Sequence, residues 1–402
     1  DSRFSTKRDN IAGGSWEGLP RARRAVIFAL LATAFVACLS APSVAWGRPG
    51  TSDPFDVAKT VAEVNLIDPL SGWIRPSPAY SGSWMRDSFW TTGILGSDVG
   101  RRSLAHFGAR LTPSGQAPTK IEAPSGPAYY YDDESTIIYL IWSYRDNGQP
   151  NERLVQAWKW ISKRVDENGW YWTPGGTFHT WHDILLFPEK DVASYNQGLY
   201  AVAAQAALRL GIAKPADAEM AARAYRRLYR PQTGYLPVSL RMDYRDASAL
   251  AGEFLARTML GVSFLDNNEV VSTVRGLPRS GPGFLTLSKA DGSYLDPLAF
   301  FIPMAPGQYQ NGGSWLLYDA MAWSTAWMAG ADEAKDMAMR RLTAEADEGT
   351  LYEYLPTGPS AWSAPTREDY GWNSYAWFAV GTSQDSTRPF PSSIVRAPAL
   401  LR

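Results

Sequence analysis

An all-α fold is what this sequence predicts, and three observations carry it. Helix-spaced apolar stretches recur about a dozen times, glycine- and proline-rich loops separate them, and no strand–helix alternation runs along the chain. About a dozen helices paired as hairpins is the number an (α/α)6 barrel requires, with short β-hairpins left to the loops.

Leu154, Trp158, Ile161 and Val165 keep helical spacing, and the stretch stops at Gly169. Asp191 is placed to cap a helix carrying Val192, Tyr195, Leu199, Val202, Ala206 and Leu210, with Gly211 as its stop. Similar stretches begin near Phe55, Trp84, Val99, Asp133, Pro215, Asp246, Asn267, Ser314, Asp332 and Tyr370. Between them, Asn168-Gly169 and Gly175-Gly176 bracket the aromatic run Trp170-Tyr171-Trp172. Asp291-Gly292, flanked by Phe284-Leu285-Thr286-Leu287 and Tyr294-Leu295, is a hairpin signal. No repeat or internal linker stands out, so residues 47–402 are expected to form one domain.

Residues 1–46 read differently. Arg21, Arg23 and Arg24 precede an apolar run from Ala25 to Ala41, followed by Ser43-Val44-Ala45. A basic flank, an apolar stretch and a small-residue site make an export pattern. The run is slightly short of the roughly 20 residues that span a bilayer, so an export signal is the first expectation and a retained membrane anchor the second. Cys38 is the single cysteine of the chain and lies in this segment, so no intramolecular disulfide is expected.

Composition narrows the partners. The formal net charge is -1, which supplies no global field for nucleic acid or an acidic membrane; contact with a membrane is expected only through the N-terminal segment. Seventeen Trp and 20 Tyr among 402 residues supply many flat apolar faces with one polar handle each, which suits cores and sugar rings alike. A neutral carbohydrate substrate fits best.

Cleaving a glycosidic bond needs two carboxyl groups, one to protonate the leaving oxygen and one to attack the sugar or activate water. Four clusters place acids in aromatic, loop-rich settings. The first is Trp84-Met85-Arg86-Asp87-Ser88-Phe89-Trp90, where Asp accepts and Arg donates to hydroxyls, or where the two simply pair. The second, Tyr129 to Thr136, carries Asp132, Asp133 and Glu134, which a helix start favours whatever their function. The third runs from Phe178-His179-Thr180-Trp181-His182-Asp183 to Asn196-Gln197-Gly198. Its H-x-x-H-D spacing raises a metal site, but it lacks the helical H-E-x-x-H pattern, so neutral hydrogen-bonding histidines are expected, with no metal and no cofactor. The fourth joins Pro306-Gly307-Gln308-Tyr309-Gln310-Asn311-Gly312-Gly313-Ser314-Trp315 to Tyr352-Glu353-Tyr354. It is not a P-loop, because no Lys-Ser/Thr follows.

Taken in order, W-x-R-D-S-F-W, T-W-H-D with Y-N-Q-G, P-G-Q-Y-Q-N-G-G-S-W and Y-E-Y resemble the six-hairpin glycosidases. That group includes glucoamylases, processing and glycerate-linked α-glucosidases, neutral invertases and the glucosidase module of glycogen debranching enzymes. The resemblance covers about residues 80–380 and implies an inverting glycoside hydrolase acting on a short, glucoside-like, α-linked substrate. It implies Asp183 as general acid and Glu353 as general base. It also implies substrate contacts from Trp84, Arg86, Asp87, Trp181, Asn196, Gln197, Gln308, Asn311 and Trp315. Gln310 stands where several relatives carry His, and His182 where they carry Met. The family's usual N-terminal β-domain has little room, since about 30 residues separate the export segment from the first motif.

Two other classes compete with that reading. One is a phosphorylase, epimerase or lyase on the same toroid. Phosphorolysis would want basic or amide donors beside the acid, and no Arg or Lys concentrates around Gln308–Trp315. A lyase would want a basic cleft, which the near-zero charge does not support. An idle sugar-binding surface protein would keep affinity without forming product.

Overall fold

The computed structural model describes residues 54–132, 134–346, 349–361 and 368–384. The expected export or anchor segment over residues 1–46 lies outside them. No described helix is long and apolar enough to cross a membrane.

Twelve α-helices stand among the described residues. They are α1 (Pro54–Asn65), α2 (Met85–Leu95), α3 (Ser97–Gly108), α4 (Glu134–Asp146), α5 (Glu152–Ser162), α6 (Ser194–Arg209), α7 (Pro215–Arg226), α8 (Ala251–Leu255), α9 (Asn267–Gly276), α10 (Leu316–Met328), α11 (Asp332–Ala346) and α12 (Tyr375–Gln384). A π-turn over Ala256–Leu260 extends α8 to Gly261. Every second helix is inner: α2 packs on α4, α4 on α6, α6 on α8, α8 on α10, α10 on α12, and α12 back on α2. That closes a ring of six, with α3, α5, α7, α9, α11 and α1 outside it.

Sequence sets the two layers apart. Inner α4 reads ESTIIYLIWSYRD and inner α10 reads LLYDAMAWSTAWM, and both are buried nearly all round. Outer α5 buries only Leu154, Ala157, Trp158, Trp160 and Ile161, a single stripe, and is capped by Asn151, whose side chain accepts from Leu154 N. A helix apolar all round belongs inside two layers, and one with a stripe belongs on top. Buried Arg341 ties α11 to α10 by donating to Asp319 at 2.8 Å, and it also donates to Glu345 at 2.6 Å.

Inner helices α6 and α8 meet backbone to backbone at Gly198 and Gly252, where a Cβ on Gly252 would fall on the Gly198 main chain. Helix propensity alone would favour Gly252→Ala by about 1 kcal/mol. The obstructing atoms are main chain and cannot rotate aside, so the overpacking cost of about 1–3 kcal/mol should prevail. The expected result is a lower melting temperature for Gly252→Ala. An unchanged or higher one would mean that the crossing is loose.

Several sequence expectations shift. Helix α5 ends at Ser162, because Val165 pairs with Tyr171 across the Asn168-Gly169 turn. Asp191 does not cap α6, which starts at Ser194; its carboxylate instead accepts from Val192 N at 2.7 Å and Ser239 Oγ at 2.5 Å. Asp246 lies in a strand, and α8 begins only at Ala251. The Asp291-Gly292 turn forms, with Lys289 N donating to Ser293 O at 2.8 Å. Its flanks pair elsewhere: Leu287–Ser288 with Arg245–Asp246, and Gly283–Phe284 with Arg279–Ser280.

Each inner helix is followed by an outer one that carries the chain back, so the inner six share a direction. Their N-termini therefore open on one end of the ring, and the loops that precede them gather there. One loop layer is a three-stranded antiparallel sheet of Ser83–Trp84, Lys120–Ile121 and Ala128–Tyr129.

Candidate active site

The four clusters sit at those gathered N-termini. Trp84, Arg86 and Asp87 begin α2, and Glu134 begins α4. Asp183 lies on the loop before α6, Tyr309–Trp315 leads into α10, and Glu353 and Tyr370 precede α12. Helix N-termini carry partial positive charge, which favours acids there.

The Asp183 loop is held from three sides. Phe178 N donates to the Asp183 backbone oxygen at 3.0 Å, and Gly176 and Phe187 exchange backbone hydrogen bonds across the loop. The Gln310 amide donates to Asp183 Oδ1 and to Trp181 O, both at 2.8 Å. Tyr309 Oη approaches Asp183 Oδ2 at 3.4 Å. Beneath, Trp181 Nε1 donates to Ser248 Oγ at 2.6 Å, and Ser248 Oγ donates to Asp246 Oδ1 at 2.6 Å. His182 Nε2 lies 3.2 Å from the other oxygen of Asp246. Trp181, His182, Ser248 and Asp246 are all buried, so this is a rigid floor under a half-buried carboxyl.

Glu353 is pinned in a different way. Ser314 and Leu355 exchange backbone hydrogen bonds at 2.9 Å each, and Tyr354 stacks on Trp315 with centroids 5.7 Å apart. Asn373 donates to the Glu353 backbone oxygen and accepts from Leu317 N at 3.0 Å, which fastens the loop to the start of α10. Tyr309, which leads into that helix, feels the charges of both Asp183 and Glu353.

One guanidinium serves the whole group. Arg86 donates to Glu134 Oε1 at 2.7 Å and lies over the Trp372 ring at 5.2 Å. Burial pushes Glu134 up to about 8 and Asp87 up to about 6, with Arg86 working against burial in both. The Asp183 carboxyl is also raised by burial, while Arg86, Gln310, Tyr309 and His182 pull it back. Glu353 is pushed well above the ordinary carboxylate range: burial leads, Asp183 and Asp87 add repulsion, and the Tyr370 hydroxyl and Arg86 oppose them. These carboxyls are close enough to sense one another, in a setting that holds protons. Proton donation to a leaving group and proton removal from water both lie within its chemistry.

Not every expected residue joins them. Gln197 turns outward: its amide donates to Gly169 O and Ala221 O and accepts from Tyr171 N at 2.8 Å, so it secures a hairpin. Asn196 donates to Thr173 Oγ1 and His179 O, and so braces the loop behind Asp183. Asn311 spends its amide on Leu295 and Met304 backbone groups. Gln197 and Asn311 give their amides to the scaffold because a buried amide beside a turn is first claimed by unpaired backbone. Trp315 is a buried wall against Trp181 and Tyr354, Trp84 is half-buried at the mouth, and Gln308 is half-buried with its backbone bridged to Asn311.

The structure adds Glu134, Gln310, Tyr309, Tyr370 and Trp372. Glu134 was visible only as one acid at a helix start, and Gln310 only as a departure at a known position. Trp372 carried no local signal.

No protein-family model matches this sequence, and no curated protein sequence does. Solved structures do match. The GH63 mannosylglycerate hydrolase from Thermus thermophilus, in complex with Tris and D-glycerate, is 12% identical with a TM-score of 0.57, covering 82% of this chain and 100% of that one. An uncharacterized conserved protein from the same organism is 13% identical with a TM-score of 0.57 over the same shares. A glucoamylase from Saccharomycopsis fibuligera is 12% identical with a TM-score of 0.54, covering 86% of this chain and 98% of that one. The chain thus has the six-hairpin (α/α)6 fold, the fold of these glycoside hydrolases. At such identity the likeness is one of fold.

Proposed function

We propose that the protein is a glycoside hydrolase that cleaves a short, glucoside-like, α-linked substrate with inversion. Asp183 is the general acid and donates to the leaving oxygen. Glu353, once ionised, takes a proton from water on the opposite face of the sugar. Arg86 and Asp87 hold the sugar's hydroxyls, the first donating and the second accepting. The observation that carries this is the convergence of Asp183 and Glu353, from separate loops, on one buried charge cluster. Support also comes from fold neighbours, one of which is a mannosylglycerate hydrolase solved with glucose bound. The Ala25–Ala41 run supports action outside the cytoplasm.

Proton NMR of the protein incubated with α- and β-glucosides, sucrose, trehalose, maltooligosaccharides and glucosylglycerate tests the reading. The expected first product carries the inverted anomeric configuration, at a rate indifferent to added phosphate. A product of retained configuration would sink the inverting mechanism, and a strict need for phosphate would make the protein a phosphorylase.

A further inference from the structure

Around the mouth of the carboxyl cluster runs an unbroken arc of rings: Tyr370, Tyr80, Trp84, Tyr131, Phe178 and Phe301. Successive centroids lie 6.2 Å, 6.2 Å, 5.8 Å, 6.2 Å and 6.4 Å apart, all edge to face. All but Tyr370 are half-buried, so the arc keeps accessible ring surface. It is tied to the reacting groups at several points. Tyr370 bonds the Glu353 and Asp87 carboxyls. Phe301 N donates to Ile184 O at 2.8 Å and Phe178 N to Asp183 O at 3.0 Å.

Phe178 stands out within the arc. Its φ is 64°, in the left-handed region that bulky side chains rarely adopt. A glycine would meet the same backbone demand without strain. Where backbone geometry argues for glycine and a large ring is present, the ring itself is the reason. It stands next to Tyr131 and Phe301 on the loop that carries Asp183, the proposed general acid.

Charge decides what kind of group that is. Burial leads at the Tyr131 hydroxyl; Asp132, Asp183 and Asp87 add repulsion, and Arg86, already bound to Glu134, opposes them. Carboxyls thus outnumber the one cation that an anionic group entering there would meet. Among the described residues, the ammonium at this rim is Lys120, which lies over the Trp84 ring at 5.2 Å and is bound to Glu122 at 2.6 Å. With the ammonium bound to Glu122 and the guanidinium to Glu134, the flat rings favour the apolar face of another ring.

Building on the hydrolase reading, we infer that the arc centred on Phe178 is the leaving-group subsite and selects an uncharged aglycone with a flat ring face, a pyranose or an aryl group. The fold neighbour that cleaves mannosylglycerate would then differ from this protein in its aglycone.

The test compares kcat/KM of the wild type and Phe178→Gly on phenyl α-glucoside, maltose, methyl α-glucoside and glucosylglycerate. The wild type is expected to favour the first two. Phe178→Gly should melt no lower than the wild type, yet narrow the preference for ring-bearing over small aglycones by at least about tenfold. Loss confined to maltose assigns a pyranose, and loss confined to the phenyl substrate assigns an aryl group. A wild type that prefers glucosylglycerate, or a glycine variant that keeps the full preference, overturns the inference. If no substrate turns over, the hydrolase reading fails by itself, and calorimetric titration with phenyl and methyl α-glucoside decides the subsite. Tighter phenyl binding that Phe178→Gly abolishes upholds it; equal affinities overturn it.

Discussion

Asp183→Asn and Glu353→Gln should each lower turnover by roughly 10^3-fold, the scale of a lost proton-transfer group, without unfolding the protein. Both carboxyls are raised by burial, and Glu353 further by the charges of Asp183 and Asp87. A neutral amide of the same shape removes that repulsion, so neither variant should melt below the wild type, and Glu353→Gln should melt higher at alkaline pH. The pH profile gives a second readout. Activity needs Glu353 ionised and Asp183 protonated. Because Glu353 is raised further than Asp183, that form is the minor one of the singly protonated pair, and the bell-shaped profile lies above the ordinary carboxylate range. The two titrate as a coupled pair, and the limbs report the pair. Asp87→Asn removes a negative charge that raises Glu353, so whatever activity remains should have its profile at lower pH. Near-normal turnover in Asp183→Asn would remove that residue from the acid role, and a profile unmoved in Asp87→Asn would separate Asp87 from the pair.

The helices were legible from apolar spacing and loop residues, while the two layers show only in the fold, where ESTIIYLIWSYRD is buried nearly all round and ERLVQAWKWIS only along one stripe. Asp191 and Asp246 misled because an acid ahead of an apolar run looks the same in sequence whether or not it caps a helix. Asp191 bonds a serine on another loop, and Asp246 bonds a serine two residues on. Asp183 and Glu353 drew attention through their aromatic surroundings and the order of their motifs in the chain. Gln197 and Asn311 give their amides to main chain, and the sequence does not show it for a related reason. An amide beside glycine has the same local sequence whether it meets sugar or main chain, and only the fold reveals the backbone groups waiting for it. Glu134 was hidden because its partner Arg86 lies on a different hairpin, and the ring closure that joins α2 to α4 is not written in either segment.

Arg86→Ala should be the most damaging single change at the site, and its cost should depend on pH. The guanidinium, with a side chain 12% exposed, is the cation that Glu134, Asp87, Asp183 and Glu353 all lean on. Removing one partner of a buried pair costs about 3–5 kcal/mol when the other stays charged. These carboxyls can escape by taking up protons, since Glu134 already sits at about 8 with Arg86 in place. In the variant their folded-state values rise further above the unfolded ones. The folded chain then holds more protons than the unfolded chain across a wider range, and stability falls as pH rises through it. The melting-temperature deficit of Arg86→Ala should therefore be small near pH 5 and largest above pH 8. Arg86→Lys restores a charge but not the planar fork that bonds Glu134 while covering Trp372, so it should recover stability at alkaline pH more than turnover. A deficit independent of pH would show that Arg86 contributes packing against Trp372 rather than charge. Full turnover in Arg86→Lys would show that a point charge at this position is all the sugar needs.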